Sequence, residues 1–175
     1  MTKRVYRGAW LEVVTEEVEF PNGKQATLDM VRHPGAAAVV PFASESEVLL
    51  IRQYRYAAGG VIYEVPAGKL EPGEDPATCA ARELEEEIGM RAGRIEPLGW
   101  IFTTPGFTDE VIHLFAAFEL EAGVQRLDDD EVIEVVPMQL DAALELVWSG
   151  ELPDAKSSLA LLHAAHAFER QRRAR

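Results

Sequence analysis

The chain has 175 residues, 47% of them hydrophobic, which suits one ordinary domain with a normal core. Its 30 acidic residues against 17 basic ones give a formal charge of −13, which argues against a general nucleic-acid binder but leaves room for a phosphate-bearing small molecule if divalent cations stand between carboxylates and ligand. No apolar run approaches the roughly 20 residues that cross a bilayer, the stretch MTKRVYRGAW has no apolar core, and a single cysteine cannot form a disulfide framework, so a cytoplasmic, membrane-free setting is expected.

In chain order, AWLEVVTEEVEF and QATLDMVRH flank the Pro-Asn-Gly turn of PNGK, so residues of about 9–33 are expected to form an antiparallel hairpin. GAAAVVPF and VLLIRQYRY add two apolar strands separated by the polar turn ASESE. The stretch YEVPAGKLEPGE begins like a buried strand and passes two glycine-containing turns. From Asp75 the period becomes helical: Ala77, Ala81, Leu84 and Ile88 fall on one face, between an Asp75-Pro76 start and a Gly89 stop. Cys79 reads as a small buried or half-buried residue within that helix.

RIEPLGWIFTT, EVIHLFAAFEL and EVIEVVPM are further strand candidates, joined by the loop TTPGFTD and the acidic turn RLDDDE. Two helices follow. QLDAALELVWSG ends in glycine, and the segment from Asp154 finishes with four arginines, where the helix dipole favours positive charge. Strands interrupted by one helix and finished by two imply an α/β layered domain with helices on a mixed sheet. The expected division is an N-terminal antiparallel β unit over residues 1–34, suited to packing on a second subunit, and a main domain over residues 35–175.

Glu83, Glu86 and Glu87 share one helical stripe, while Glu85 points elsewhere, toward solvent. A solvated acidic face would explain such a run by itself, since the repulsion costs only a few tenths of a kcal/mol per pair, on the order of ~0.3. Two neighbours argue for more. The upstream glycine-containing loop lets backbone approach a ligand and adds Glu74, and carboxylates with a backbone carbonyl form a hard donor set for Mg²⁺ or Mn²⁺ rather than zinc. Arg82, inside the cluster, can hold glutamates by bidentate hydrogen bonds.

Gly68, Glu74, Arg82-Glu83-Leu84, Glu86-Glu87 and Gly89-Met90 fit G-x5-E-x7-R-E-U-x-E-E-x-G-U at every specified position, with U a bulky aliphatic residue. This stretch resembles the Nudix box, and the resemblance extends from about Tyr6 to Met138. It implies the Nudix α/β/α sandwich with a mixed sheet, and hydrolysis of a nucleoside diphosphate linked to another moiety. It further implies that Glu83, Glu86 and Glu87, with the carbonyl of Ala67, hold two or three Mg²⁺ ions, Mn²⁺ being possible, supported by Glu74 and Arg82.

Outside the box the chain is similar to the ADP-ribose pyrophosphatase branch, which would make AMP and ribose 5-phosphate. Pro105 lies fifteen residues after Met90, and the resemblance places its loop, with Gly106, Phe107 and the acid Glu110, at the ribose and diphosphate; an ordinary turn is the bland alternative. It also implies Arg55 at the diphosphate, with Arg52 as the alternative on the same strand. Trp10 would stack on adenine with Arg32 near it, reached across a homodimer with shared active sites. Where some relatives carry a second stacking aromatic, this hairpin has Leu28 or Met30. The general base implied is Glu131, with Asp129 and Glu86 as alternatives, so the catalytic set is Glu131, Glu86 and Arg82. His33, His113, His163 and His166 take structural readings. Two other functions compete: hydrolysis of GDP-mannose or another nucleoside-diphosphate sugar, and non-catalytic sensing of ADP-ribose.

Overall fold

A computed structural model describes residues 2–128 and 131–173. The N-terminal unit is a three-stranded antiparallel sheet, β1 (Thr2–Arg7), β2 (Glu12–Glu19) and β3 (Gln25–Arg32), in that order. The expected hairpin is β2 and β3; β1 was hidden because every one of its residues is exposed, so no apolar alternation marks it. Val14 is the only hydrophobic side chain fully buried in this sheet.

The main body contains two sheets. A mixed four-stranded sheet runs β7-β4-β9-β8, built from β4 (Ala36–Pro41), β7 (Ala67–Lys69), β8 (Met90–Phe102) and β9 (Val111–Ala122), with β4 and β9 parallel. A three-stranded antiparallel sheet runs β10-β5-β6, from β5 (Glu47–Arg55), β6 (Gly60–Glu64) and β10 (Ile133–Gln139). The helices are α1 (Pro76–Ile88), α2 (Leu140–Ser149) and α3 (Ala155–Arg173).

The sequence AAAVV of β4 explains the layering. A strand buried on both faces reads as a continuous apolar run, and β4 is buried throughout. Ala36, Ala38 and Val40 pack with Ala143 of α2 and Ala160, Leu161 and Ala164 of α3, whereas Ala37 and Val39 pack with Cys79, Ala80, Leu84 and Ile88 of α1. Alternation along one strand thus gives each face its own helix layer. The face of α1 is rotated from the expected one. Ala80 stands in line with Leu84 and Ile88 at four-residue steps and is buried, leaving Ala81 half-exposed. Alanine carries too little apolar surface to fix that rotation from sequence.

β8 starts at Met90, directly after the αL residue Gly89, earlier than the expected start at residue 94. The N-terminal sheet is tied to the loop between β8 and β9: Val31 N–H donates to Phe107 O at 2.7 Å, and Arg32 and the His33 N–H both reach the carboxylate of Asp109. Among the described residues, no helix is long and apolar enough to cross a membrane.

Candidate active site

A cleft of about 870 Å³ lies where β7, helix α1, the loop after β9 and the start of α3 meet. Asp75 fixes the start of α1 by accepting from the N–H groups of Ala77 and Thr78, and Pro76 occupies the first turn where no donor is needed. The helix then carries its acids against β7. Glu87 is only 2% exposed and its Oε2 accepts from the Ala67 N–H at 3.1 Å. The backbone of Ala67 therefore meets this carboxylate through its amide.

Arg82 organises the remaining acids. Its Nε and Nη2 donate to the two oxygens of Glu74 at 3.0 and 3.1 Å, Nη1 donates to Glu83 at 2.7 Å and Glu86 at 2.9 Å, and Nη2 also reaches Lys69 O. Only a planar fork serves so many acceptors at once. The hydrogen bond to Arg82 holds the Glu74 carboxyl below its ordinary range. Glu83 moves the other way, because its burial outweighs the attraction of Arg82. Burial, then the charge of Glu83, push Glu87 well above the usual carboxylate range. Two buried carboxylates that resist ionisation side by side form a place where added positive charge is favoured.

Gly68 is part of that cradle: a Cβ there would stand 1.8 Å from Glu83 Oε1. The donors are all oxygens, which fits a hard divalent cation. Among the described residues no three His, Cys, Asp or Glu side chains already converge into a metal cage, since Arg82 draws Glu83 and Glu86 to itself. Cys79 contributes no nucleophile: burial, with Glu74 and Glu83 nearby, pushes its thiol up to about 12. Glu85 is not solvated as expected. It is half-buried, and its Oε1 accepts from the Val124 N–H.

Arg55 lines the cleft, whereas Arg52 pairs with Glu134 and stacks near Tyr63 away from it. Sequence reasoning missed what holds Arg55. Its Nε and Nη2 donate to Glu64 at 2.8 and 2.7 Å, and Lys156 Nζ donates to the same carboxylate at 2.8 Å and to Asp154 at 3.0 Å. Glu64 is 2% exposed. The clue was an acid set inside the apolar strand VIYEV, which a buried counter-charge alone makes tolerable. Ser157 completes the junction by donating to Asp154 and accepting from the Val65 N–H.

Trp10, Glu110 and Glu131 also line the cleft. Lys69 Nζ stands 4.9 Å from the Trp10 ring centroid, and the His33 ring meets Trp10 edge-on at 5.2 Å. Thr103 donates to Glu110 at 2.7 Å, and His33 Nε2 lies 3.4 Å from the same acid. Because His33 Nδ1 accepts from the Gly35 N–H, the neutral ring carries its proton on Nε2, facing Glu110. Glu131 accepts from the Asp128 N–H at 3.0 Å, and the alternative Asp129 lies outside the described residues. Arg32 pairs with Glu16 and Asp109 beside a smaller cavity of about 320 Å³ that also includes Trp10. Gly106 and Phe107 do not line the large cleft; the Phe107 ring is exposed, and its backbone serves the bond to Val31.

Comparisons with known proteins show the family and the fold. A family model described as "NUDIX domain" matches residues 31–159. The chain is 41% identical over 161 residues to the ADP-ribose pyrophosphatase of Bacillus subtilis, covering 91% of this chain and 87% of that protein. It is 39% identical to the methanol dehydrogenase activator of Bacillus methanolicus (91% and 88% covered) and 34% identical to the GDP-mannose pyrophosphatase of Cronobacter sakazakii (91% and 86% covered). The crystal structure of an ADP compounds hydrolase superposes with a TM-score of 0.85 at 22% identity, over 98% of this chain and 93% of the other, a likeness of fold.

Proposed function

We propose a Mg²⁺-dependent hydrolysis of ADP-ribose, or a close ADP-sugar, to AMP and a sugar phosphate for this chain, which belongs to the NUDIX family. The observation that carries the reading is one cleft lined by both halves of a diphosphate site: Glu83, Glu86 and Arg82, with the buried Glu87 behind them against Ala67, and the anchored cations Arg55 and Lys156. The 41% identity to an ADP-ribose pyrophosphatase supports the adenosine choice.

Glu83, Glu86 and Glu87, with the Ala67 carbonyl, would hold the metal. When bound, it supplies charge neutralisation at the phosphate oxygens and a water of lowered pKa. Arg55, locked by Glu64, presents its remaining Nη1 donors to the diphosphate, and Trp10 offers a flat face to adenine. Glu131 takes the proton of the attacking water as its oxygen joins one phosphorus and the anhydride P–O bond breaks. Glu110, fixed by Thr103 and His33, orients the ribose, with Gly106 and Phe107 shaping its loop and Arg32 its outer wall. Arg82 keeps the acids aligned throughout.

The N-terminal sheet fully buries only Val14 among its apolar side chains and exposes Val5 and Tyr6, which supports a homodimer formed through residues 1–34. Sedimentation reads this directly: a monomer at working concentration overturns it. The GDP-mannose pyrophosphatase relative supports a second reading, cleavage of GDP-mannose. Product analysis with ADP-ribose and GDP-mannose at equal concentration, with Mg²⁺ and then with a chelator, separates the two. AMP and ribose 5-phosphate formed only with metal are expected; an untouched ADP-ribose, or a rate that survives chelation, refutes the proposal.

A further inference from the structure

An α-helix leaves its last carbonyls without internal donors, and a buried helix end must find partners for them. In α1 these carbonyls include that of Glu86, whose side chain lines the cleft, and that of Glu87, whose buried carboxylate meets the Ala67 N–H. Arg126 N–H donates to Glu86 O at 2.9 Å, Gln125 Nε2 donates to Glu87 O at 2.7 Å, and Gly123 N–H donates to Gly89 O at 2.8 Å. The loop after β9 thus docks on the C-terminal end of α1. Gly89 does more than end the helix at φ 67: a Cβ there would stand 3.1 Å from Gln125 N and 3.3 Å from Gln125 Cβ, so its absence seats the loop.

The docked loop leads directly to Glu131. Glu131 N–H donates to Asp128 O, and Asp128 N–H donates back to the Glu131 carboxylate, both at 3.0 Å. A side-chain amide on an exposed loop would ordinarily be interchangeable, but the Gln125 amide is the one side-chain group that joins this loop to a main-chain carbonyl of α1 among the described residues.

We propose that Gln125 is a positioning residue for catalysis, holding the loop that carries Glu131 in fixed relation to the acids of α1. The proposal rests on the reading of Glu131 as general base. Loss of the donor loosens residues 125–128 and, through the Asp128–Glu131 pair, Glu131 relative to α1, so the carboxylate no longer stands over the attacking water while the binding residues Trp10 and Arg55, on other elements, are untouched.

The test uses Gln125→Ala and Gln125→Glu, the latter keeping the size and removing the donor. Outer partners of metal-ligating residues cost about 10–100-fold when removed. With ADP-ribose and Mg²⁺, each variant should lower kcat by about tenfold with KM within about twofold. Glu131→Gln combined with Gln125→Ala should fall no further than Glu131→Gln alone, because residues acting through one another are not additive. Amide hydrogen exchange gives a readout independent of turnover: the Arg126 and Glu131 amides should exchange faster in Gln125→Ala, with the β4 amides unchanged. A Gln125→Ala enzyme of wild-type kcat, or a fully multiplicative double variant, overturns the positioning role. A Glu131→Gln enzyme of wild-type rate overturns the base assignment itself. If the wild type leaves ADP-ribose intact, the substrate reading fails, and unchanged Arg126 and Glu131 exchange would still refute the docking role separately.

Discussion

Glu64→Gln removes a charge from a carboxylate that is 2% exposed and accepts from Arg55 twice and from Lys156 once. It leaves two cations with one counter-charge fewer and turns an amide NH₂ toward donors where an acceptor stood. Breaking a buried ion pair from one side costs about 3–5 kcal/mol. That figure must be discounted, since the Arg55 side chain is 40% exposed and can turn to water, and Lys156 keeps Asp154. A loss of about 2–3 kcal/mol remains, which at about 2–4 °C per kcal/mol for a chain of this size lowers Tm by roughly 4–12 °C. Burial alone would raise the Glu64 pKa, but Arg55 and Lys156 outweigh it and hold the carboxyl below its ordinary value. A depressed carboxyl contributes stability that is complete above the unfolded pKa of about 4.3 and is lost as pH falls through the folded one. Urea unfolding of both proteins at neutral pH and in acid below that value reads the difference. The gap should be largest at neutral pH and shrink in acid; a neutral gap below about 0.5 kcal/mol, the range of ordinary surface changes, or one that widens in acid, refutes the reasoning.

Gly68→Ala puts a methyl group where Glu83 Oε1 stands, so hydrolysis should fall by at least about tenfold while the fold persists; near-normal turnover would remove Glu83 from the metal set. Trp10→Ala should raise KM for ADP-ribose by roughly 5–150-fold, from about 1–3 kcal/mol of base stacking, with Trp10→Phe intermediate; an unchanged KM in steady-state kinetics excludes Trp10 from the adenine subsite. Glu87→Gln should abolish hydrolysis yet raise the melting temperature in chelator, because it removes a buried charge whose main cost is desolvation; a lower melting temperature would contradict that account.

The box was legible because its information is local. Spacing along one helix sets which acids share a stripe, and Asp75, Pro76 and Gly89 mark its ends by capping chemistry that acts within a few residues. The layering around β4 was legible for the same reason, an apolar run being visible without knowing its partners. What escaped depended on distant partners. Glu64 and Lys156 are 92 residues apart and meet only because the start of α3 comes back to the end of β6. The contact of Gln125 with Glu87 O likewise requires β8 and β9 to bring the chain back to the end of α1. β1 escaped because a wholly exposed strand carries no burial pattern, and the rotation of α1 because alanines weigh little in one.

Charge in the cleft finally orders the binding events. Among the described residues lining it, seven carboxylates stand against five basic side chains, Arg55, Lys69, Arg82, Arg126 and Lys156. Three of those five are already engaged: Arg82 by Glu74, Glu83 and Glu86, Arg55 by Glu64, and Lys156 by Glu64 and Asp154. A diphosphate arriving at a chain of formal charge −13 is therefore repelled at long range and meets little free positive charge on entry. The same acids that repel the substrate favour a divalent cation, most of all beside Glu83 and Glu87, where burial makes an unbalanced charge costly. A divalent cation held by Glu83, Glu86 and Glu87 would reverse the local sign, leaving Arg55 and Lys156 to orient an anion that their own charges could not have drawn in. Substrate affinity should therefore rise with Mg²⁺ concentration, even in the inactive Glu131→Gln protein. Calorimetric titration that finds ADP-ribose binding equally well with and without Mg²⁺ would show instead that the engaged cations suffice.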